Sequence, residues 1–167
     1  MKFLLTLAFA SLLAFITSSC SSSPDLPIGK NQALWTGTWK SEQRLGAHGH
    51  ISVAYPEKLP IDQAFKVRAK ITYSPLSVYR PGQIKFGVFE AMISKNRELI
   101  DSNVDNPIPS SSNGVFSIKL KGSIANSDQI ITYLGDLNPQ LTAMEGEFES
   151  DYPSNQGSFQ IQKAAKK

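Results

Sequence analysis

Apolar and polar residues alternate along much of the chain after residue 30. The clearest example is FKVRAKITY at 65–73, where every odd position is apolar or aromatic and every even position is Lys, Arg or Thr. An alternation with a period of two predicts a β-strand with one buried and one solvated face. A helix would spread both kinds of residue around its circumference, so a helix is not predicted here.

Seven further segments predict strands on the same grounds. The eight predicted strands cover residues 34–40, 51–55, 65–73, 83–93, 116–120, 129–134, 141–150 and 157–163. Prolines fall between these segments, as expected for a residue that lacks the N–H group a β-ladder needs. Eight strands joined by turns, with no predicted helix in the mature part, indicate an all-β domain. The alternatives are a single antiparallel β-barrel and a two-sheet β-sandwich.

Two stretches depart from simple alternation. In residues 83–93, apolar residues occupy even positions up to Val88 and odd positions from Phe89 onward. A strand that is apolar on both faces predicts either a β-bulge near Gly87 or a surface patch for a partner. Residues 91–101 are ambiguous, because Glu98-Leu99-Ile100 fit either a short helical turn or an edge strand.

The first residues predict export. After Met1-Lys2, an apolar run of about 14 residues would form a helix only about 21 Å long, which is shorter than the ~30 Å core of a bilayer. Small residues follow at 17–19. We therefore predict that residues 1–19 form a signal helix that is cleaved.

Cys20 is the only cysteine, so it has no internal disulfide partner. The sequence Ile16-Thr17-Ser18-Ser19-Cys20 resembles the lipobox of bacterial lipoproteins, with Thr17 where Leu is usual. The resemblance implies that Cys20 becomes the first mature residue and carries diacylglyceryl and an acyl chain such as palmitate. It also implies a place in the cell envelope. Because Ser21, and not Asp, follows the cysteine, the expected site in a Gram-negative cell is the outer membrane, facing the periplasm.

The mature chain then divides into three parts. Residues 20–30 are rich in Ser and Pro and are expected to form a flexible, lipid-anchored tether. Residues 31–163 form the β domain, and residues 164–167 form a short basic tail.

A short motif bears on the architecture. Trp35-Thr36-Gly37-Thr38-Trp39 places both tryptophans on one face of the first strand. Gly37-Thr38-Trp39 is similar to the Gly-x-Trp motif that opens the first strand of calycins, the lipocalin and avidin-like barrels. The resemblance implies an up-and-down barrel, with Trp35 and Trp39 as candidate residues for binding a small apolar ligand.

Little in the sequence indicates catalysis. His48 and His50 lie two residues apart and are weak candidates for metal ligands, but a third ligand is not evident. Exposed histidines in a polar turn are the simpler interpretation. We find no nucleophile motif or phosphate loop, and we predict neither a cofactor nor an enzyme. Without Lys2, the chain has 16 basic and 14 acidic residues, which is too small an excess to predict nucleic-acid binding.

Three functions stay open at this point. The first is an envelope lipoprotein whose barrel binds a small apolar ligand or a partner protein. The second is a structural or assembly accessory with a filled core that acts through its surface. The third, an envelope enzyme, has the least support because no catalytic set is visible.

Overall fold

Each of the eight predicted segments contains a strand in the computed structural model, which describes residues 25–96, 99–100, 116–151 and 154–165. The strands are β1 (Gln32–Ser41), β2 (His48–Pro56), β3 (Phe65–Tyr73), β4 (Ile84–Ser94), β5 (Phe116–Ile124), β6 (Ile130–Leu137), β7 (Ala143–Asp151) and β8 (Ser154–Lys163). The predicted signal helix and Cys20 lie outside the described residues.

The strands form a closed barrel in which each strand pairs antiparallel with the next. Closure comes from β1, which pairs with β2 on one side and with β8 on the other; Trp39, for example, lies opposite both Gly49 and Phe159. Closure satisfies the hydrogen-bonding groups of the edges that an open sheet would expose. The predicted single barrel is therefore confirmed, and the sandwich alternative is wrong.

Glycines on the inner face make room for the large rings of the core. A Cβ atom at Gly49 would lie 2.9 Å from the indole nitrogen of Trp39, and one at Gly135 would lie 3.1 Å from Cζ of Phe159. Each would also meet a backbone carbonyl group of the neighbouring strand, at 1.8 Å and 2.4 Å. Small residues at these positions thus allow close strand approach and aromatic packing in the same barrel.

The predicted bulge in β4 is not present. Pairing of β3 with β4 runs without a break from Phe65↔Ala91 to Thr72↔Ile84, which includes Gly87. The second apolar face of β4 instead lies on the outside of the barrel, where Phe86 is half-buried. Of the ambiguous stretch 91–101, residues 91–94 belong to β4, and the described residues 99–100 are helical, as expected for the short helical turn. Among the described residues, no helix is long and apolar enough to cross a membrane.

The barrel has two distinct ends. We call the end where β1, β3, β5 and β7 finish the upper end; the loops 42–47, 74–83 and 125–129 lie there. The lower end carries the turns 57–64 and 138–142.

The last residues of the predicted tether lie on the barrel wall. Leu26 is 8% exposed, and it lines a shallow cavity with Pro27, Phe86 and Val88. The Arg68 guanidinium group donates a hydrogen bond of 2.8 Å to the carbonyl oxygen of Pro27. The N-terminal segment therefore covers part of the outer apolar face of β4.

Candidate functional site

The barrel interior is packed with aromatic rings. Trp35 and Trp39, the candidate ligand-binding residues, are 1% and 5% exposed. The ring of Trp35 lies 5.2 Å from that of Tyr55, and the ring of Trp39 lies 4.9 Å from Tyr73 and 6.0 Å from Phe148. Edge-on and tilted pairs at these distances contribute favourable packing beyond area burial. Both tryptophans thus serve as core residues in the described structure.

Two tyrosines place hydroxyl groups in this apolar interior. Burial raises the pKa of Tyr55 and Tyr133 above the ordinary value of 10.0. The phenolate charge of Tyr133 raises the pKa of Tyr55 further, and that of Tyr73 raises the pKa of Tyr133 further. The hydroxyl of Tyr55 donates to the sulfur of Met144 at 3.7 Å. The hydroxyl of Tyr133 makes no hydrogen bond within the described residues. Tyr133 therefore holds a buried hydroxyl group with no hydrogen-bond partner among the described residues.

The outer wall of β6, β7, β8 and β1 presents a different chemistry. Side chains that alternate with the core residues point outward, and the strand register places four of them side by side across four neighbouring strands. This polar row consists of Thr38, Gln160, Glu145 and Asp136. Since residues directly opposite each other in a sheet have Cβ atoms about 5 Å apart, the row spans about 15 Å of surface.

Two adjoining clefts lie along the polar row. The larger has a volume of about 660 Å³ and extends toward the lower end, where Asn138 and Pro139 contribute to its lining. The second, of about 550 Å³, shares Thr38, Glu145 and Gln160 with the first. Together they form an open groove with a hydrogen-bonding floor.

Much of the hydrogen-bonding capacity of the groove is unused within the described residues. The side chains of Thr38, Gln160 and Glu145 are exposed and make no hydrogen bond there. Asp136 is different, because its carboxylate accepts a 2.6 Å hydrogen bond from the hydroxyl of Ser117. The groove can therefore offer hydroxyl, amide and carboxylate groups to a polar ligand or to an extended peptide.

His48 and His50 both lie on β2 and point outward, so the predicted polar turn at this point is wrong. His48 Nδ1 lies 3.0 Å from the carbonyl oxygen of Gly46. The residues opposite the histidines on β1 are Lys40 and Thr38, and neither is a usual zinc ligand. Within the described ranges, no group of three or more His, Cys, Asp or Glu side chains could hold a metal ion.

Sequence reasoning did not identify the groove. Glu145, Glu147 and Glu149 of β7 are all exposed, and their spacing in the sequence indicates only a solvated face. The alternation of Thr36 and Thr38 with the two tryptophans was visible, but it gave no information on which strand would lie beside β1. The pairing of β1 with β8 decides the composition of the polar row.

Comparisons with family models, with curated proteins and with solved structures found no match for this chain. The resemblances to bacterial lipoproteins and to calycins therefore stay predictions.

Proposed function

We propose that this protein is a cell-envelope lipoprotein, anchored through Cys20, whose non-enzymatic barrel acts as a filled scaffold and binds a partner protein through its outer wall. Of the functions that the sequence leaves open, this one corresponds to an accessory that acts through its surface. It needs no cofactor and no catalytic residue.

The observation that carries the proposal is the contrast between interior and groove. Inside, the centre of the Tyr133 ring lies 5.7 Å from that of Phe148 and 5.2 Å from that of Phe159. Interiors of small closed barrels are either filled in this way or hold one small ligand. Outside, the polar row lines an open groove in which the side chains of Thr38, Gln160 and Glu145 are exposed and make no hydrogen bond within the described residues.

The anchor is tested by metabolic labelling with radioactive palmitate. Wild-type protein is expected to take up label and to sediment with membranes, whereas Cys20→Ser is expected to lose both properties. Ser22→Ala is the matched control, because it changes a hydroxyl of the tether and leaves the thiol in place. Labelling of Cys20→Ser at the wild-type level would refute the anchor.

The groove is tested by photocrosslinking in cells. A photoreactive amino acid at Thr38 is expected to yield a discrete adduct with an envelope protein. The control position is Lys66, which is exposed on the outside of β3. Equal adducts at both positions, or none at Thr38, would contradict binding through the groove.

One observation favours a second function, the binding of a small apolar ligand inside the barrel. The buried Tyr133 hydroxyl without a hydrogen-bond partner is the kind of group that a polar atom of a ligand satisfies. Native mass spectrometry of the purified protein distinguishes the two functions. A retained small molecule that is lost in Tyr133→Phe would favour the carrier, and a mass equal to that of the acylated chain would favour the filled scaffold.

A further inference from the structure

The upper end of the barrel carries the most exposed apolar side chains among the described residues. Leu45 in the β1–β2 loop is 93% exposed, and Leu76 and Val78 in the β3–β4 loop are 85% and 80% exposed. The other large exposed hydrophobic residues do not exceed 54%. Apolar side chains grouped at one loop cluster mark an interaction surface more clearly than single ones do.

These three side chains belong to two loops that contact each other. The hydroxyl of Ser77 donates a 2.9 Å hydrogen bond to the carbonyl oxygen of Gly46. Gly46 has a φ of 76°, and a Cβ atom there would lie 2.3 Å from Cγ2 of Val78. The loops thus hold Leu45 and Val78 near each other. We call Leu45, Leu76 and Val78 the apolar tip.

Cationic side chains flank the apolar tip. The guanidinium groups of Arg44 and Arg80 lie 4.7 Å and 5.3 Å from the centre of the Tyr79 ring. Arg44 also donates hydrogen bonds to the hydroxyl of Tyr79 and, at 3.1 Å, to the carbonyl oxygen of Ser154. Among the described residues, neither arginine forms an ion pair with a carboxylate.

A third cation, Lys85, lies close enough to Arg44 and Arg80 for their charges to affect its pKa. The pKa of Lys85 is lowered, first by partial burial and then by the charges of Arg80 and Arg44. These loops hold one carboxylate, Glu42, which is exposed and unpaired within the described part of the chain. The two loops that carry the apolar tip are therefore net positive, whereas Asp128 and Asp151 place negative charge elsewhere at the upper end.

The N-terminal segment approaches the same end of the barrel. Leu26 lines the same outer cavity as Phe86. Phe86 lies two residues after the start of β4 and is therefore close to the β3–β4 loop. Ala125, in the upper β5–β6 loop, lines the same cavity. Cys20 lies six positions before Leu26 in the sequence, so the chain between them reaches at most about 21 Å. A lipid attached at Cys20 would therefore hold the upper end within reach of the bilayer.

We propose that the upper end docks on the bilayer, with the apolar tip inserted at the level of the headgroups and with Arg44 and Arg80 on anionic lipid headgroups. Apolar side chains bordered by arginines are the composition that binds at such an interface. The proposal rests on the proposed anchor, which keeps the barrel near the surface. Docking leaves the larger cleft, which extends toward the lower end, facing away from the membrane.

The test places an environment-sensitive fluorophore at two positions of the mature full chain. Leu76→Cys and Gln140→Cys, at the upper and the lower end, are labelled with an NBD maleimide in vesicles of phosphatidylcholine and phosphatidylglycerol in equal amounts. The label at 76 is expected to show a blue-shifted, stronger emission that spin-labelled lipids quench. The label at 140 is expected to show the same emission spectrum with vesicles as in buffer without them. Identical spectra at both positions would overturn the proposal.

Charge is tested in the same vesicles with Arg80→Gln, which leaves the hydrogen bonds of Arg44 in place. A cation near an anionic surface contributes about fivefold to binding, so the docked fraction at limiting lipid is expected to fall by about that factor. Lys66→Gln on the outside of β3 is the matched control and should change nothing. Equal docking of Arg80→Gln and wild type would contradict the role given to the arginine.

Two further outcomes separate this proposal from its alternatives. A spectral change at 76 that occurs with a membrane protein extract and not with lipid alone would assign the apolar tip to a protein partner and overturn lipid docking. Uptake of the maleimide by the wild-type chain would show a free Cys20 thiol and so refute the anchor. In that case the label at 76 still reports whether the barrel docks from solution.

Discussion

The outside of the barrel has two walls with opposite properties. On the wall formed by β4, β5 and β6, several outward-pointing side chains are buried: Ser94, Ser117, Lys119, Thr132 and Leu134. On the wall formed by β7, β8 and β1, the outward-pointing Glu145, Glu147, Ser158, Gln160 and Thr38 are all exposed. We call these the covered wall and the open wall.

Segments of the chain itself contact the covered wall and its neighbourhood. Asp62, in the β2–β3 turn, accepts a hydrogen bond from the hydroxyl of Ser94. The carbonyl oxygen of Ile100, a residue that is 3% exposed, accepts one from Lys119 at 3.4 Å. Leu26 covers the adjacent face of β4. Burial on the outside of this barrel therefore marks intramolecular packing, whereas the side chains of the open wall stay exposed.

The largest loss of stability is expected for a substitution in the core, which lies inside both walls. Trp35→Ala removes a side chain that is 1% exposed and should lower the free energy of unfolding by about 3–5 kcal/mol, because the cavity left behind cannot close completely. Urea denaturation followed by circular dichroism measures this change. Trp35→Phe is the control and should lose less. A loss of under about 1 kcal/mol for Trp35→Ala would indicate an interior that is not tightly packed.

A matched pair compares the two walls directly. Leu134→Ala, on the covered wall, should cost about 2–3 kcal/mol of unfolding free energy. Gln160→Ala, on the open wall, should stay within about 0.5 kcal/mol of wild type. Equilibrium urea unfolding of both variants checks the difference. Equal losses would show that the covered wall does not depend on packing.

A smaller loss of stability is expected for a substitution where the N-terminal segment packs against β4. Leu26→Ala removes most of a buried leucine side chain and should cost about 1.5 kcal/mol. Hydrogen exchange of residues 28–31 should accelerate in this variant, because the segment would lose its main apolar contact. Ile28→Ala is the control, since Ile28 is 41% exposed. Unchanged exchange in Leu26→Ala would show that other contacts hold the segment.

The smallest expected change in stability depends on pH and arises from the buried tyrosines. The unfolded chain releases the Tyr133 proton near pH 10, whereas burial keeps the pKa of the folded tyrosine higher. The folded state then binds more protons, so stability is complete below about pH 10 and falls above it, by at most about 1.4 kcal/mol per pH unit for each such tyrosine.

Tyr133→Phe should therefore reduce the slope of stability against pH above about pH 10. Near neutral pH it should leave stability almost unchanged, because the hydroxyl makes no hydrogen bond within the described residues. Urea midpoints of the variant and wild type between about pH 9 and pH 11 measure the difference. Parallel curves would contradict burial of the phenol.

The strands were predictable from the chain because alternation is a local property. Residues 65–73 predict β3 to the residue, and the other segments differ from the observed strands mainly at their ends, where the pattern fades into turns. The bulge near Gly87 was a wrong prediction for a physical reason. A second apolar face on a strand also arises when another part of the same chain covers it, and alternation cannot distinguish these cases.

The sequence by itself determined that the chain after residue 30 forms eight amphipathic strands with an aromatic core, since hydrophobic burial selects one face of each strand. Only the tertiary structure decided that β8 closes the sheet on β1. That closure places Thr38 beside Gln160 and Glu145, although more than 100 residues separate the first of them from the other two along the chain. The tertiary structure also decided which outer surfaces are covered, because the contacts of Leu26 and Ile100 depend on where the turns direct the chain, which no local pattern encodes.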